Sequence, residues 1–329
     1  MQTLIKTTNA YKLFQAEVSN GTHSHAYLIV MDDKRNLKNV LLSFAKVLYG
    51  CDNPYSPEEE TLASRIENGT FSDCRIFPEE GKKFLVDDAE LLTEECFLMP
   101  VESNKKVMMV CDFAEANTAS QNKLLKLLEE PPFGVVFLLG ATSAFSVLPT
   151  VLSRVSKLEI PPFRETDVAS ALKRAYPKGY TEEDFALCSV ASGGSVGTAQ
   201  TMLEGGEFRA LIHDAFSLCL AGKDKLPLLT KKIGEAKRKK ELLFLLRVIF
   251  RDASIIKGVP DKINYTLLQA EKQSVREVAN AFPLSTLFYA QSEIGKAERD
   301  LAFNSVFAQG LELLFASIFS HREKMEKLG

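Results

Sequence analysis

Three short runs of nearly uninterrupted apolar residues punctuate the first half of the chain: His25–Val30 (HAYLIV), Val107–Cys111 and Val135–Leu139. Runs of this length without polar alternation predict parallel strands buried on both faces. Between them the period changes to that of a helix. Leu37, Val40, Leu41, Phe44, Val47 and Leu48 recur at helical spacing over Asn36–Leu48 and form a buried stripe. Leu124, Leu125 and Leu128 share one face of another helix. Pro131-Pro132 ends it, because proline cannot continue helical hydrogen bonding. The order strand, helix, strand across 107–139 predicts a right-handed parallel crossover. Phe84–Asp88 and Ala89–Met99 read as a further strand and helix, and Gly50–Asp73 as an irregular insertion.

Pro161-Pro162 marks a boundary. Beyond it Phe163–Leu203 reads as a small helical domain, and everything from about Glu207 as helical. Leu242–Ile249 with Arg251-Asp252 is one such helix. Phe303, Phe307, Leu311, Leu314 and Ile318 stripe the last one at helical spacing. The expectation is an α/β domain over 1–161, a small helical domain over 162–206 and an all-α domain over 207–329.

Composition narrows the function classes. The 329 residues are 46% hydrophobic and 25% charged, with a net charge of −3, which is ordinary for a globular chain of two or three domains. That balance argues against strong nucleic-acid binding by the chain alone. Lys231-Lys232 and Lys237-Arg238-Lys239-Lys240 form a local basic run, which reads as a solvated helix face rather than a DNA contact. No apolar run is long enough to span a bilayer, and the N-terminal MQTLIKTTNAYK has no continuous apolar segment. A cytoplasmic protein is expected. Cysteines 51, 74, 96, 111, 188 and 219 show no C-x-x-C spacing; Cys111, Cys188 and Cys219 read as small core residues, and no disulfide framework is expected.

The chemistry-bearing stretch is KVMMVCDFAEANTASQNKLLKLLEEPP, followed after the next strand by Ser153-Arg154. Its Asn122, Leu124-Leu125-Lys126 and Leu128-Glu129-Glu130-Pro131-Pro132, together with Ser153-Arg154, resemble the clamp-loader branch of the AAA+ ATPases. VDDAELLTEE at 86–95 also resembles that family. The resemblance implies an AAA+ α/β domain, a helical lid and an all-α collar domain. It also makes the missing residues informative. ATP-binding members carry G-x-x-x-x-G-K-[ST] between the first strand and helix, where backbone N–H groups wrap the phosphates and the lysine neutralises them. Here the loop reads Met31-Asp32-Asp33-Lys34-Arg35-Asn36-Leu37-Lys38. It has no glycine, Leu37 falls at the lysine position, Lys38 at the hydroxyl position, and two aspartates would repel phosphate. Active members end the second strand of the motif in Asp-Glu, the glutamate activating water; here Asp112 precedes Phe113, and Asp112 reads as a capping or hydrogen-bonding residue. Thr142 stands at the family's polar sensor position and reads as a strand-end threonine. Ser192–Ala199 resembles the lid motif, with Gly197 where active members place an arginine. The family's four-cysteine zinc module is represented only by Cys51 and Cys74, so no zinc is expected.

Ser153-Arg154 is intact, with Val155 replacing the usual cysteine. By the resemblance, Arg154 projects into the ATP site of a neighbouring subunit, with Ser153 in support. A guanidinium suits that role because its charged planar fork grips two phosphate oxygens. The implied protein holds no cofactor or metal of its own. It assembles with ATP-binding tau/gamma subunits and a clamp-opening delta subunit, and meets the sliding clamp and primed DNA through that complex. Two other readings stay open: an active ATPase like tau/gamma, and a structural scaffold like delta in which Arg154 does no catalytic work.

Overall fold

The computed structural model describes residues 1–79, 82–205, 207–234, 239–259, 261, 266–268, 271–300 and 307–327. Their contacts divide the chain into two units: Met1–Asp167 with Ser195–Thr198, and Val168–Gly194 with Ala199–Gly329.

The first unit opens with helices α1 (Gln2–Thr7) and α2 (Asn9–Ser19), then strand β1 (Ala26–Val30), helix α3 (Leu37–Leu48), helix α4 (Pro57–Glu67) and strand β2 (Cys74–Phe77). Helix α5 (Val86–Phe97), strand β3 (Lys106–Val110), helix α6 (Thr118–Glu129), strand β4 (Val135–Ala141), the single turn α7 (Pro149–Leu152) and strand β5 (Ser156–Glu159) complete it. The strands form one parallel sheet in the order β2-β3-β4-β1-β5. β1, β3 and β4 are buried at every residue, as expected for the centre of a parallel sheet covered on both faces. Successive side chains alternate between those faces. Tyr27, Ile29, Val107, Met109, Val136 and Leu138 join Phe14, Val40, Leu41 and Phe44 in one core. Leu28, Val30, Met108, Val110, Phe137 and Leu139 join Leu92, Leu124, Leu127 and Leu128 in the other. Gly140 lets α3 lie close to the sheet: a Cβ there would stand 3.0 Å from Leu37 Cγ and 3.1 Å from Leu41 Cδ1.

Two expectations need correction. Phe84–Asp88 is not a strand. Val86 already begins α5, Phe84 is buried, and the Leu85 N–H donates to the Asp88 carboxylate at 2.8 Å, closing the helix start. The strand that pairs with β3 is Cys74–Phe77 instead, in register Cys74↔Val107. Nor is Gly50–Asp73 wholly irregular, since α4 occupies its middle. Ser56 caps α4 by accepting from the Glu59 N–H, Pro57 starts it, and three glutamates fill its first turn, all helix-start signals. Asp73, fully buried, accepts the N–H groups of Val101, Glu102 and Ser103, each at 2.8 Å, and so ties the start of β2 to the turn before β3.

Past β5 the chain is helical: α8 (Glu165–Ala175), α9 (Glu182–Ala191), α10 (Val196–Glu204), α11 (Glu207–Cys219), α12 (Leu226–Gly234), α13 (Lys239–Gly258), α14 (Lys272–Ala281), α15 (Leu284–Asp300) and α16 (Phe307–Glu326). A parallel sheet flanked by helices, followed among the described residues by helices alone, is the expected fold class. In the second unit, Phe307, Leu311, Leu314 and Ile318 are buried along α16; Phe303 lies outside the described residues. Asp252 is buried in α13 and accepts the N–H groups of Leu267 and Leu268 at 2.7 and 2.9 Å. Burial raises its pKa despite those donors. Lys231, Lys232, Lys239 and Lys240 are exposed; Lys237 and Arg238 lie outside the described residues.

Candidate functional site

In open parallel sheets, ligands bind beyond the carboxyl ends of the strands. At that edge this chain gathers the loops after β1, β3 and β4, and fills the space with its own charges. The loop after β1 runs from Met31 through a 3₁₀ turn, Lys34–Asn36, into α3. Asp33 is only 4% exposed. Its carboxylate accepts the Asn36 N–H at 3.1 Å and the Asn36 side-chain amide at 3.0 and 3.2 Å. It also accepts the Gly197 N–H at 2.7 Å. Both Asp33 and Gly197 belong to the first unit. Gly197 lies in the first turn of α10, where N–H groups point outward and the helix dipole favours an anion. In this chain that anion is Asp33.

The same contact explains the glycine. A Cβ on residue 197 would lie 2.1 Å from Asp33 Oδ1 and 2.7 Å from Arg35 Cβ, so no side chain fits there while Asp33 keeps its place. Leu37, at the phosphate-lysine position, is fully buried against Gly140 and belongs to the core. Lys38 is half-buried at the next position.

A cation stands at the same edge. Lys34 Nζ stands 3.0 Å from Asp112 Oδ2 and also contacts Glu115 Oε1. The Glu115 and Asp112 carboxylates raise the lysine's pKa, and Lys34 in turn lowers that of Glu115. Asp112 adopts φ 54°, ψ 50°, and is the sole non-glycine residue with positive φ among the described residues. Aspartate tolerates this left-handed region better than most side chains. It makes no side-chain cap bond to the turn that follows, so its carboxylate serves the ion pair rather than a cap. Phe113 is fully buried, its ring 6.2 Å from that of Phe84. An aromatic ring in the core has no proton-accepting group to offer water. Thr142 follows β4 directly and is half-buried.

Arg154 sits apart from this edge, just after the turn α7. Its Nε donates to Glu129 Oε1 at 2.8 Å, and Nη2 contacts the same oxygen. Nη1 donates to the Thr150 carbonyl at 2.7 Å and to Ser153 Oγ at 3.0 Å. Ser153 therefore does touch the guanidinium. The arginine side chain remains 32% exposed.

Cys51 and Cys74 are both buried, and burial pushes their thiols up to about 11 and about 12. Among the described residues, no group of three or more His, Cys, Asp or Glu could hold a metal ion.

Three contacts at these positions had no clear mark in the sequence. Asp33 meets a residue 164 positions away. Glu115 and Glu129 are ordinary surface glutamates until the fold sets a cation against each. Only the glutamate-rich end of α6 hinted at a basic partner, because a helix C-terminus repels negative charge.

The family model described as "DNA polymerase III, delta subunit" matches residues 6–164. A DNA polymerase III subunit gamma from Buchnera aphidicola is 22% identical over 278 residues, covering 77% of this chain and 76% of the relative. A subunit gamma/tau from Mycobacterium tuberculosis is 41% identical over 69 residues, covering 21% of this chain and 12% of the relative. The subunit delta' of Bacillus subtilis is 25% identical over 162 residues, 49% of each chain. The last two relatives are therefore matched over less than two thirds of their own length.

Proposed function

We propose that the chain is a clamp-loader subunit of DNA polymerase III, a reading supported by its family-model match and its gamma and delta' relatives, and within that complex the delta-prime subunit, a stator that hydrolyses no ATP itself and supplies Arg154 in trans. The observation that carries this reading is the self-filled edge of the sheet. Leu37 is core, Asp33 holds the α10 turn in place of a phosphate, and Lys34 is paired with Asp112 and Glu115 in place of a metal ion. A phosphate at the α10 turn would have to displace Asp33 from the Gly197 N–H. Phe113 supplies no base, and Gly197 has no room for an arginine. The gamma and gamma/tau relatives make an ATPase reading the natural rival, and these positions speak against it.

In this reading residues 162–206 are the lid and 207–329 the collar. The partners are ATP-binding tau/gamma subunits and a delta subunit, with the sliding clamp and primed DNA met through the complex, in the cytoplasm. Arg154 would stabilise charge developing on the γ-phosphate of the neighbour's ATP, an effect worth about 10³- to 10⁵-fold in related systems. The test is a reconstituted clamp loader carrying Arg154→Ala in this subunit alone. DNA-stimulated ATP turnover should fall with assembly intact. Unchanged turnover would leave only a structural scaffold, and ATP binding by the isolated chain would favour the ATPase reading.

A further inference from the structure

The guanidinium of Arg154 is engaged on every nitrogen. Nε and Nη2, the edge that grips a carboxylate or phosphate in fork fashion, both meet Glu129 Oε1. Nη1 is taken by the Thr150 carbonyl and Ser153 Oγ at 2.7 and 3.0 Å. A phosphate that takes the Nε/Nη2 fork must displace Glu129 from it. The Thr150 carbonyl is fixed by the backbone of α7. Glu129 is the mobile one, a side chain 48% exposed at the last position of α6, and it is the partner that carries a negative charge, like the phosphate itself.

The end of α6 explains why the pair forms. Glu129 and Glu130 both sit at the helix C-terminus, where unpaired carbonyls already concentrate negative charge. Carboxylates are disfavoured there unless a cation answers them. Arg154 is that cation for Glu129. When the arginine swings to another anion, Glu129 returns to an unfavourable position, so leaving has a defined cost.

We propose that Glu129 is a positioning residue that parks Arg154. Its carboxylate occupies the fork until a phosphate of the neighbouring subunit's nucleotide displaces it. This rests on the trans-acting reading of Arg154. The parked pose keeps the finger ordered and neutralised while no nucleotide is in reach, and makes its engagement a competition between two anions. Partly exposed pairs of this kind shift such an equilibrium by about two- to fivefold.

The test uses the reconstituted complex with Glu129→Gln, Arg154→Ala and the double variant in this subunit, each checked for intact assembly. Glutamine keeps the size and an acceptor but removes the charge. Glu129→Gln is expected to lower the KM for ATP in DNA-stimulated turnover about two- to fivefold with kcat little changed, and the difference from wild type should shrink as salt screens the pair. In the Arg154→Ala background the same substitution should do nothing. An unchanged KM, or a lowered kcat, in Glu129→Gln would overturn the parking role while a large loss in Arg154→Ala kept the finger. No effect of Arg154→Ala would remove the finger, and with it the parking role.

Discussion

Replacing Asp33 with alanine tests whether the chain really carries its own anion. The carboxylate is almost fully buried and accepts bonds from Gly197 N–H at 2.7 Å, from Asn36 N–H at 3.1 Å and from the Asn36 amide at 3.0 Å. Losing the cap on the 34–36 turn costs about 1 kcal/mol. Depriving the buried Gly197 N–H of its charged acceptor costs about 1–3 kcal/mol. Together the loss is about 3 kcal/mol. For a unit of this size each kcal/mol is worth about 2–4 °C in Tm, so the midpoint should fall by about 6–12 °C. Calorimetry of the full chain should show the shift, and hydrogen exchange should show a faster Gly197 amide. Asp33→Asn keeps one acceptor oxygen and should lose about half as much. The reasoning fails if Asp33→Ala moves neither the transition nor Gly197 exchange, because the carboxylate would then not be holding that turn.

Two further outcomes follow from the same site and its scaffold. Leu37→Lys, which writes the phosphate lysine back into the chain, should yield no ATP binding by calorimetric titration. It should instead destabilise the chain by at least about 3 kcal/mol, since it buries an ammonium in the core beside Gly140. Asp73 should contribute to acid stability. Burial opposes its ionisation, but the Val101, Glu102 and Ser103 N–H donors outweigh that and lower its pKa. A carboxyl whose folded pKa is depressed stabilises the fold above its unfolded value and loses that contribution as the pH falls through the folded one. Acid titration followed by circular dichroism should therefore show Asp73→Asn less stable at neutral pH by about 2 kcal/mol. The gap should close below about pH 4; a gap that persists in acid would remove the carboxylate from that role.

The central strands and the helices α3 and α6 could be read directly, because burial on both faces forces an apolar residue at every strand position and a helix facing the sheet must show a stripe. The edge escaped for the same physical reason. β2 is half-exposed at Arg75 and Ile76, so it carries no apolar run, whereas Phe84, Leu85 and Val86 make one without pairing to any strand. α4 buries only Ala63 and Ile66, too thin a stripe to stand out, although its Ser-Pro-Glu start was there to be read. At the site, the absence of glycine from the loop after β1, and of lysine from position 37, was legible because it is a local fact of the sequence. The contacts that this loop makes were not. The Asp33–Gly197 bond and the Lys34 ion pairs join residues distant in sequence, and short charged side chains leave no period behind.

The packing of Leu37 against Gly140 bears on how a phosphate-binding loop could be written into this chain. A variant given a lysine at 37 must first empty a core position, and one given an arginine at 197 must first evict Asp33 from the space that side chain needs. Each step alone lowers stability before any ligand can repay it, and no single substitution rebuilds the cradle. Under the proposed reading, the filled core position and the occupied helix turn act together as a lock, and only a concerted change at both would open this edge to a nucleotide.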